Sequence, residues 1–316
     1  MMTCHSDPLT SRRVVILMGV FNGAAHLDAQ LQSIAAQTHG NWHLLCADDG
    51  STDNSLTILS TFAQRHPGKV TLCSGPSQGF AANYMGLLAQ LPPRCGLVCL
   101  ADQDDIWLPD KLTRALQMLG KDDDKPTLYC GRQIYWYPAT GEKIPAPVLS
   151  RPCAFRNALV QNVAAGNTIM LNGAASRMAR NAARRCGSVY AHDWWLYLLI
   201  SGAGGSVVFD NGPPQILYRQ HRGNAIGAGR GLRRSMRRKW GVLRGEYAAR
   251  MDQNITALLA IGDLLTPEAG QDLLAFSSAR RLRGLRRMVR VLRIRLYRQT
   301  RMQTFAFWGA AGLGRV

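Results

Sequence analysis

The sequence predicts an α/β fold: a mainly parallel, Rossmann-like sheet with helices on both faces, followed by a basic, mostly helical C-terminal extension. Three observations point there. Short apolar runs rich in β-branched residues alternate with amphipathic helical stretches through the first hundred residues. Acidic clusters follow two of those runs directly, and arginine becomes dense from about residue 230. Strands alternating with helices of this length imply βαβ units, which place helices on both sheet faces.

Val14–Val20 is short, apolar and β-branched, as a strand buried on both faces requires. Residues 24–37 then carry Leu27, Leu31, Ile34 and Ala35 at helical spacing and stop near Gly40. The alternation continues with a strand over 42–47, a helix including 57–62, a strand over 69–73, a helix over 80–91 and a strand over 96–101. Beyond Gly120 it weakens. Pro138, Pro145, Pro147 and Pro152 mark a long connection, and residues 207–210 read as one more strand. Arg233, Arg234, Arg237, Arg238 and Lys239 open the basic region. The chain therefore divides into a tail over 1–12, an α/β domain over 13–227 and the basic region over 228–316.

Composition narrows the functional classes. A hydrophobic fraction of 47% with 18% charged residues excludes wholesale disorder. The 38 basic residues exceed the 20 acidic ones by 18, which points to an anionic partner: nucleic acid, a phospholipid surface or a phosphorylated substrate. Eight cysteines, at 4, 46, 73, 95, 99, 130, 153 and 186, form no CxxC pair, and several lie in apolar runs. Reduced thiols in a cytoplasmic protein fit better than a disulfide framework or a zinc site. The first ten residues lack a secretory apolar core, and the apolar, uncharged stretch 194–209 is interrupted by Gly202, Gly204 and Gly205. No membrane-crossing segment is expected.

Ligands bind at the carboxyl ends of strands in such sheets, so the motifs that follow strands carry the functional expectation. Asp102-Gln103-Asp104-Asp105 sets three carboxylates in four positions, including an Asp-x-Asp pair. Like charges at that density call for a cation, and carboxylate oxygens suit Mg²⁺ or Mn²⁺. The plain alternative is a solvated turn capping a helix that begins around Pro109. Asp48-Asp49-Gly50-Ser51 also follows a strand; Asp53 is expected to cap the next helix, leaving Asp48 and Asp49 spare to accept hydrogen bonds from a nucleotide. In His192-Asp193-Trp194-Trp195 an apolar neighbourhood would raise the pKa of Asp193 and make it a stronger proton acceptor, whereas the plain reading makes it a helix N-cap. Tyr218-Arg219-Gln220-His221 offers a phosphate clamp in Arg219 and a metal ligand or diphosphate donor in His221. GxGxxG, GxxxxGK[ST] and HExxH are absent, so nicotinamide, P-loop and zincin readings lack their cues.

Taken in order, Val14–Val20 with Phe21-Asn22, Asp48-Asp49-Gly50-Ser51-Thr52-Asp53, Asp102-Gln103-Asp104-Asp105-Ile106-Trp107 and His192-Asp193-Trp194-Trp195 resemble the family 2 glycosyltransferases, and within them the rhamnosyltransferase-like branch of bacterial surface-polysaccharide synthesis. The likeness covers residues 13–227, and Asn224 extends its closing segment. It implies a GT-A fold and an inverting, metal-assisted single displacement from a nucleotide-diphosphate sugar, with deoxythymidine-diphosphate rhamnose as the favoured donor. The acceptor would be a glycan or glycolipid, lipid-linked in the family's manner of working.

The same resemblance assigns roles. Asp48 or Asp49 would hold the base, with Gly79 and Asn83 lining that pocket, and Asp102 would approach the ribose. Asp104 would ligate the Mg²⁺ or Mn²⁺, Asp193 would be the general base, and Arg219 and His221 would meet the diphosphate or metal. Trp194, Trp195 and Asn167 are candidate acceptor contacts. Many relatives carry Glu-Asp where this chain has His192-Asp193, which leaves the role of His192 open.

Over residues 280–301, Leu282, Leu285, Val289, Leu292 and Leu296 form a helical stripe flanked by arginines. It either lies on an anionic membrane at the inner face of the cell or packs on the catalytic domain. Rival classes are a basic nucleic-acid-binding protein, a sugar nucleotidyltransferase and an inactive scaffold. Against them stand the missing nucleic-acid module, the missing Gly-rich phosphate loop, and the presence of both Asp104 and Asp193, so no nucleic-acid partner is expected.

Overall fold

The computed structural model describes residues 12–221 and 246–315. The expected boundary at 227/228, residues 1–11 of the expected tail, Asn224 and the arginines at 233–238 lie outside the described residues. A seven-stranded sheet runs in the order β10-β6-β9-β4-β1-β2-β3. Its strands are β1 (Val14–Val20), β2 (Trp42–Asp48), β3 (Val70–Ser74), β4 (Leu97–Ala101), β6 (Thr127–Gly131), β9 (Met170–Leu171) and β10 (Ser206–Asp210). All are parallel except β9, which runs against both β4 and β6.

Side-chain alternation explains why helices cover both faces. Ile16, Met18, Leu44, Cys46, Leu97 and Cys99 join one buried cluster, built with α1 (Leu27–Ala35), α2 (Ser55–Arg65) and α4 (Lys111–Leu119). Leu17, Ala47, Val98 and Leu100 point the other way, onto α3 (Phe80–Gln90), α6 (Gly173–Ala183) and α7 (His192–Gly202). This is the period of two expected where successive side chains face opposite sides of a pleated strand.

Several local expectations change. Residues 24–26 precede α1 as a turn, with the amides of His26 and Leu27 both donating to the Gly23 carbonyl. The proline-marked connection holds a hairpin, β7 (Ile134–Tyr137) and β8 (Glu142–Pro145), belonging to a second sheet ordered β5-β11-β7-β8. In that sheet β5 is Ile106–Trp107 and β11 is Ile216–Arg219. Pro145 is tolerated because β8 is an edge strand. β5 also separates the acidic cluster from α4, whose N-cap is Asp110, so Asp102–Asp105 do not cap that helix.

The C-terminal helices share the main core. They are α8 (Glu246–Leu259), α9 (Pro267–Arg281), α10 (Gly284–Arg293) and α11 (Arg301–Gly312), and a short α5 (Phe155–Ala158) packs nearby. Leu258, Phe276, Val291, Leu296 and Phe307 join the same buried cluster as Trp195 and Leu199 of α7. Thr266 caps α9 by accepting from the Ala269 amide, with Pro267 at the first helical position. The stripe over 280–301 is thus not one helix. It breaks between α9 and α10, and its two readings divide it: Leu296 is fully buried, whereas Leu285 is 69% exposed.

At Gly205, between α7 and β10, a Cβ would stand 2.5 Å from the Pro126 carbonyl oxygen and 2.7 Å from that of Ile200. Both obstacles are backbone and cannot rotate away. Gly205→Ala is expected to cost about 1–3 kcal/mol, the usual range for overpacking, read as a lower melting temperature with the α/β circular-dichroism spectrum retained.

Candidate active site

One cavity of about 850 Å³ opens at the carboxyl ends of β1, β2 and β4, and Asp49, Asp102, Asp104 and Asp193 all line it. Such a volume lies toward the upper end of small-molecule sites. Two acidic clusters more than fifty residues apart in sequence therefore meet on one rim, and α7 brings in a fourth carboxylate.

Asp48 and Asp49 are not spare; they separate by role. Asp48 accepts from the amides of Gly50 (3.2 Å) and Ser51 (2.9 Å), closing the turn after β2, and does not line the cavity. Asp49 does line it, and accepts from the amides of Ser77 (2.7 Å) and Gly79 (2.8 Å). Gly79 has φ +89°, a conformation that favours glycine, and it opens α3. Asn83, one turn on, donates to the Ala47 carbonyl and leaves its Oδ1 buried without a partner beside the cavity. Asp53 accepts from the Ala24 amide and from both the amide and hydroxyl of Ser55 at the start of α2. Asp49→Ala releases two amides of the 77–79 loop. It is expected to raise the donor KM at least tenfold while changing kcat little, as steady-state kinetics with varied donor would read.

The Asp102–Asp105 turn sets its three carboxylates within 4.8 Å of one another. Burial, then the charges of Asp104 and Asp193, push Asp102 up to about 7. Asp105 is fully buried and held by the Asn167 amide and the Arg219 backbone N–H; burial and the neighbouring carboxylates push its pKa well up. Asp104 has its Oδ2 2.8 Å from Nε2 of His221, whose ring packs 4.8 Å from that of His26. This negative potential, with oxygen ligands and one imidazole, fits a hard divalent cation at Asp104. Gln103 uses both ends of its amide to clamp the backbone of Phe21, at 2.9 and 3.0 Å.

Arg219 is placed differently from the expectation of a phosphate clamp. It does not line the cavity: its Nε donates to the Asp104 carbonyl at 2.9 Å, and its guanidinium lies 4.4 Å over the Trp136 ring. It braces the acidic turn from behind. His221, similarly, touches Asp104 without lining the cavity.

Asp193 sits in the first turn of α7, two residues after Ala191, the N-cap, and is therefore not the cap itself. Its Oδ1 accepts from the Trp194 amide at 2.6 Å. Burial pushes its pKa up to about 6 against the opposing hydrogen bonds from Trp194, the Asn162 side chain and Gly166. His192 beside it stacks on Tyr84 with centroids 3.8 Å apart, and both its ring nitrogens are buried without partners. Burial pulls His192 down to about 3, so the ring is neutral at working pH. A neutral ring here adds no further negative charge beside Asp102 and Asp193.

The two tryptophans part company. Trp194 lines the cavity, fixed by Nε1 donating 2.7 Å to the Ala158 carbonyl; Trp195 is fully buried in the core and does not reach it, a correction to its expected acceptor contact. Asn167 lines the cavity too, but its amide spans Asp105 and Gln133. Sequence reasoning missed Tyr84, whose hydroxyl reaches Asp102, and an aromatic wall of Tyr135, Tyr190 and Tyr218. It also missed Arg250 of α8, which lines the cavity with its guanidinium 4.7 Å over Tyr190.

The mainly parallel strand order and the single cavity with its acidic rim are those of the GT-A fold of glycosyltransferases. Residues 15–182, more than half of the chain, match the family described as glycosyl transferase family 2, and the chain belongs to that family. It is 25% identical over 261 residues to the dTDP-rhamnosyl transferase RfbG of Shigella flexneri, covering 80% of this chain and 88% of that one. It is 29% identical over 111 residues to UDP-Glc:alpha-D-GlcNAc-diphosphoundecaprenol beta-1,3-glucosyltransferase WfgD of Escherichia coli, covering 35% and 42% of the two chains. Among solved structures it superposes on S. aureus TarS 1–349 in complex with UDP-GlcNAc with a TM-score of 0.54 at 13% identity, over 84% of this chain and 71% of that one, a likeness of fold.

Proposed function

We propose that the protein transfers rhamnose from deoxythymidine-diphosphate rhamnose to a hydroxyl of a lipid-linked surface-polysaccharide acceptor, by a single displacement that inverts the anomeric carbon. The observation that carries this reading is the shared cavity: base-binding, ribose-binding, metal-binding and proton-accepting carboxylates, at Asp49, Asp102, Asp104 and Asp193, line one space. The name of the Shigella relative supports the donor, and that of the Escherichia relative supports a diphosphate-lipid acceptor.

In this reading Asp49 accepts from the nucleobase while its other lone pairs hold the 77–79 loop. Asp102, oriented by Tyr84, accepts from the ribose. Asp104 with His221 holds a divalent cation, which when bound offsets the negative charge left on the departing diphosphate. Arg219 keeps the Asp104 backbone in place rather than touching phosphate. Asp193, ionised, accepts the proton of the acceptor hydroxyl as its oxygen attacks, and Trp194 and the aromatic wall seat the acceptor sugar. No helix among the described residues is long and apolar enough to cross a membrane. Peripheral attachment to the inner leaflet through the C-terminal helices brings the enzyme to a lipid-linked acceptor.

The direct test is a panel of nucleotide sugars assayed for metal-dependent turnover and thermal stabilisation. Deoxythymidine-diphosphate rhamnose should stabilise most and turn over fastest. Preference for a uridine or guanosine donor would overturn the donor assignment, and binding of none would overturn the reading itself.

A further inference from the structure

The last two helices, α10 and α11, leave large apolar side chains uncovered. They lie side by side: a Cβ at Gly312, near the end of α11, would stand 3.8 Å from Sδ of Met288 in α10. A short connection joins the end of α10 to the start of α11, so the pair runs antiparallel. Their inner faces are spent on the core, through Val291 of α10 and Phe307 and Ala311 of α11. At about 100° per residue, the positions beyond the seam on the outer side are Leu285 and Val289 of α10 and Met302 and Phe305 of α11. Nothing covers them: Leu285 is 69%, Phe305 63% and Met302 80% exposed, and Val289 is exposed as well. Phe305 is set edge-on against Trp308, with ring centroids 5.3 Å apart. The four side chains flank one seam and so form a continuous apolar band, which marks an interaction surface where scattered single residues would not.

Charge selects the occupant. Further round α10 from Val289, away from α11, come Arg293, Arg286 and Arg290, all exposed. No acidic residue follows Asp272 in the chain, whereas eleven arginines do, so the band has a basic edge and no acidic one. A second copy of the chain docked on this face would bring arginine against arginine. An anionic bilayer meets both parts at once. The apolar side chains enter the acyl boundary, about 5–10 Å deep for a helix lying in the interface, and the arginine stems carry their guanidinium groups up to the lipid phosphates.

We propose that the outer face of the α10–α11 pair, with Leu285, Val289, Met302 and Phe305 inserted and Arg286, Arg290 and Arg293 along its edge, is the surface on which the protein lies on an anionic lipid bilayer. This rests on the peripheral-membrane reading above and gives it a face. The apolar stripe over 280–301 is not that face as a whole, since Leu296 belongs to the core, and half of the band comes from α11, beyond the stripe. The full-length protein is tested by flotation with phosphatidylcholine vesicles with and without 30% phosphatidylglycerol. The variants are Met302→Ser/Phe305→Ser on the band, Arg286→Gln/Arg290→Gln on its edge, and Leu259→Ser/Leu274→Ser as a control at exposed leucines of α8 and α9. Met302→Ser alone serves if the double variant melts early.

Met302→Ser/Phe305→Ser should bind the anionic vesicles at least about tenfold more weakly than wild type, as two large side chains that no longer leave water predict. The leucine control should bind as wild type does. Arg286→Gln/Arg290→Gln should lose roughly fivefold for each arginine, a loss that high salt removes. Donor turnover stays unchanged in all three, since none of these residues lines the active-site cavity. Wild-type binding by Met302→Ser/Phe305→Ser, or an equal loss in the leucine control, overturns this face while leaving membrane attachment standing. Absence of wild-type binding to phosphatidylglycerol vesicles overturns membrane attachment and the face together, and leaves the donor assignment to the nucleotide-sugar panel. A wild-type dimer that Met302→Ser/Phe305→Ser converts to a monomer, with vesicle binding unchanged, overturns the lipid assignment in favour of a second copy of the chain.

Discussion

Asp193→Asn is expected to reduce transfer by about 10²–10⁴-fold, the usual contribution of a positioned general base, while donor affinity measured by calorimetry stays within about threefold of wild type. The amide is nearly isosteric and keeps the acceptor for the Trp194 N–H, so α7 should keep its first turn. What it cannot do is take a proton. The pH profile supplies an independent check. A carboxyl pushed up to about 6 stays protonated to higher pH than an ordinary aspartate, and only the ionised form accepts a proton. Wild-type kcat should therefore climb as pH rises through about 6 and level above it, and the residual rate of the asparagine variant should lack that limb. Turnover near the wild-type rate, or an unchanged limb, would remove Asp193 from the chemistry.

Much of the positioning of Asp193 was legible along the chain because its determinants are local. Val14–Val20, the strand ends before Asp48 and Asp102, and the apolar run behind Asp193 each announce themselves within a few residues, and strand-end placement does the rest. Pairings across long sequence separations were not legible. β5 joins β11 across more than a hundred residues, and the proline-rich 138–152 stretch hides an edge hairpin that depends on β11 for its partner. Asp48 and Asp49 look equivalent in sequence, yet Asp48 ends β2 and is spent on the Gly50 and Ser51 amides, while Asp49, just past the strand, accepts from the Ser77 and Gly79 amides and alone of the two reaches the cavity. Trp194 and Trp195 differ because adjacent helical residues are about 100° apart. Arg250 arrives from a helix far beyond the family's motifs, and only the common core that packs α8 against α7 reveals it. The C-terminal helices therefore contribute to the cavity wall, through Arg250, as well as extending the chain.

The acidic turn gives the second large effect, because its three carboxylates, alike in sequence, do different work. In the proposed function, Asp104→Asn removes one charged oxygen from the cation site while leaving the backbone held by Arg219, so the variant should fold normally. Its transfer rate is expected to fall roughly 10²–10³-fold, comparable to losing one electrostatic stabiliser of a developing anion. Its residual rate should respond little to EDTA, whereas wild-type activity should collapse with EDTA and return with added Mg²⁺ or Mn²⁺.

Asp105→Asn predicts the opposite pattern. Asp105 is fully buried and accepts from the Asn167 amide and the Arg219 N–H, so an amide there turns one acceptor into a donor facing donors. A buried mismatch of that kind costs about 1–3 kcal/mol, read as a lower melting temperature, while the metal concentration giving half-maximal rate should stay near wild type. If both variants lose metal response equally, Asp104 is not the ligand that distinguishes the pair. If neither does, and chelation leaves the wild-type enzyme active, the acidic turn serves the donor without a cation.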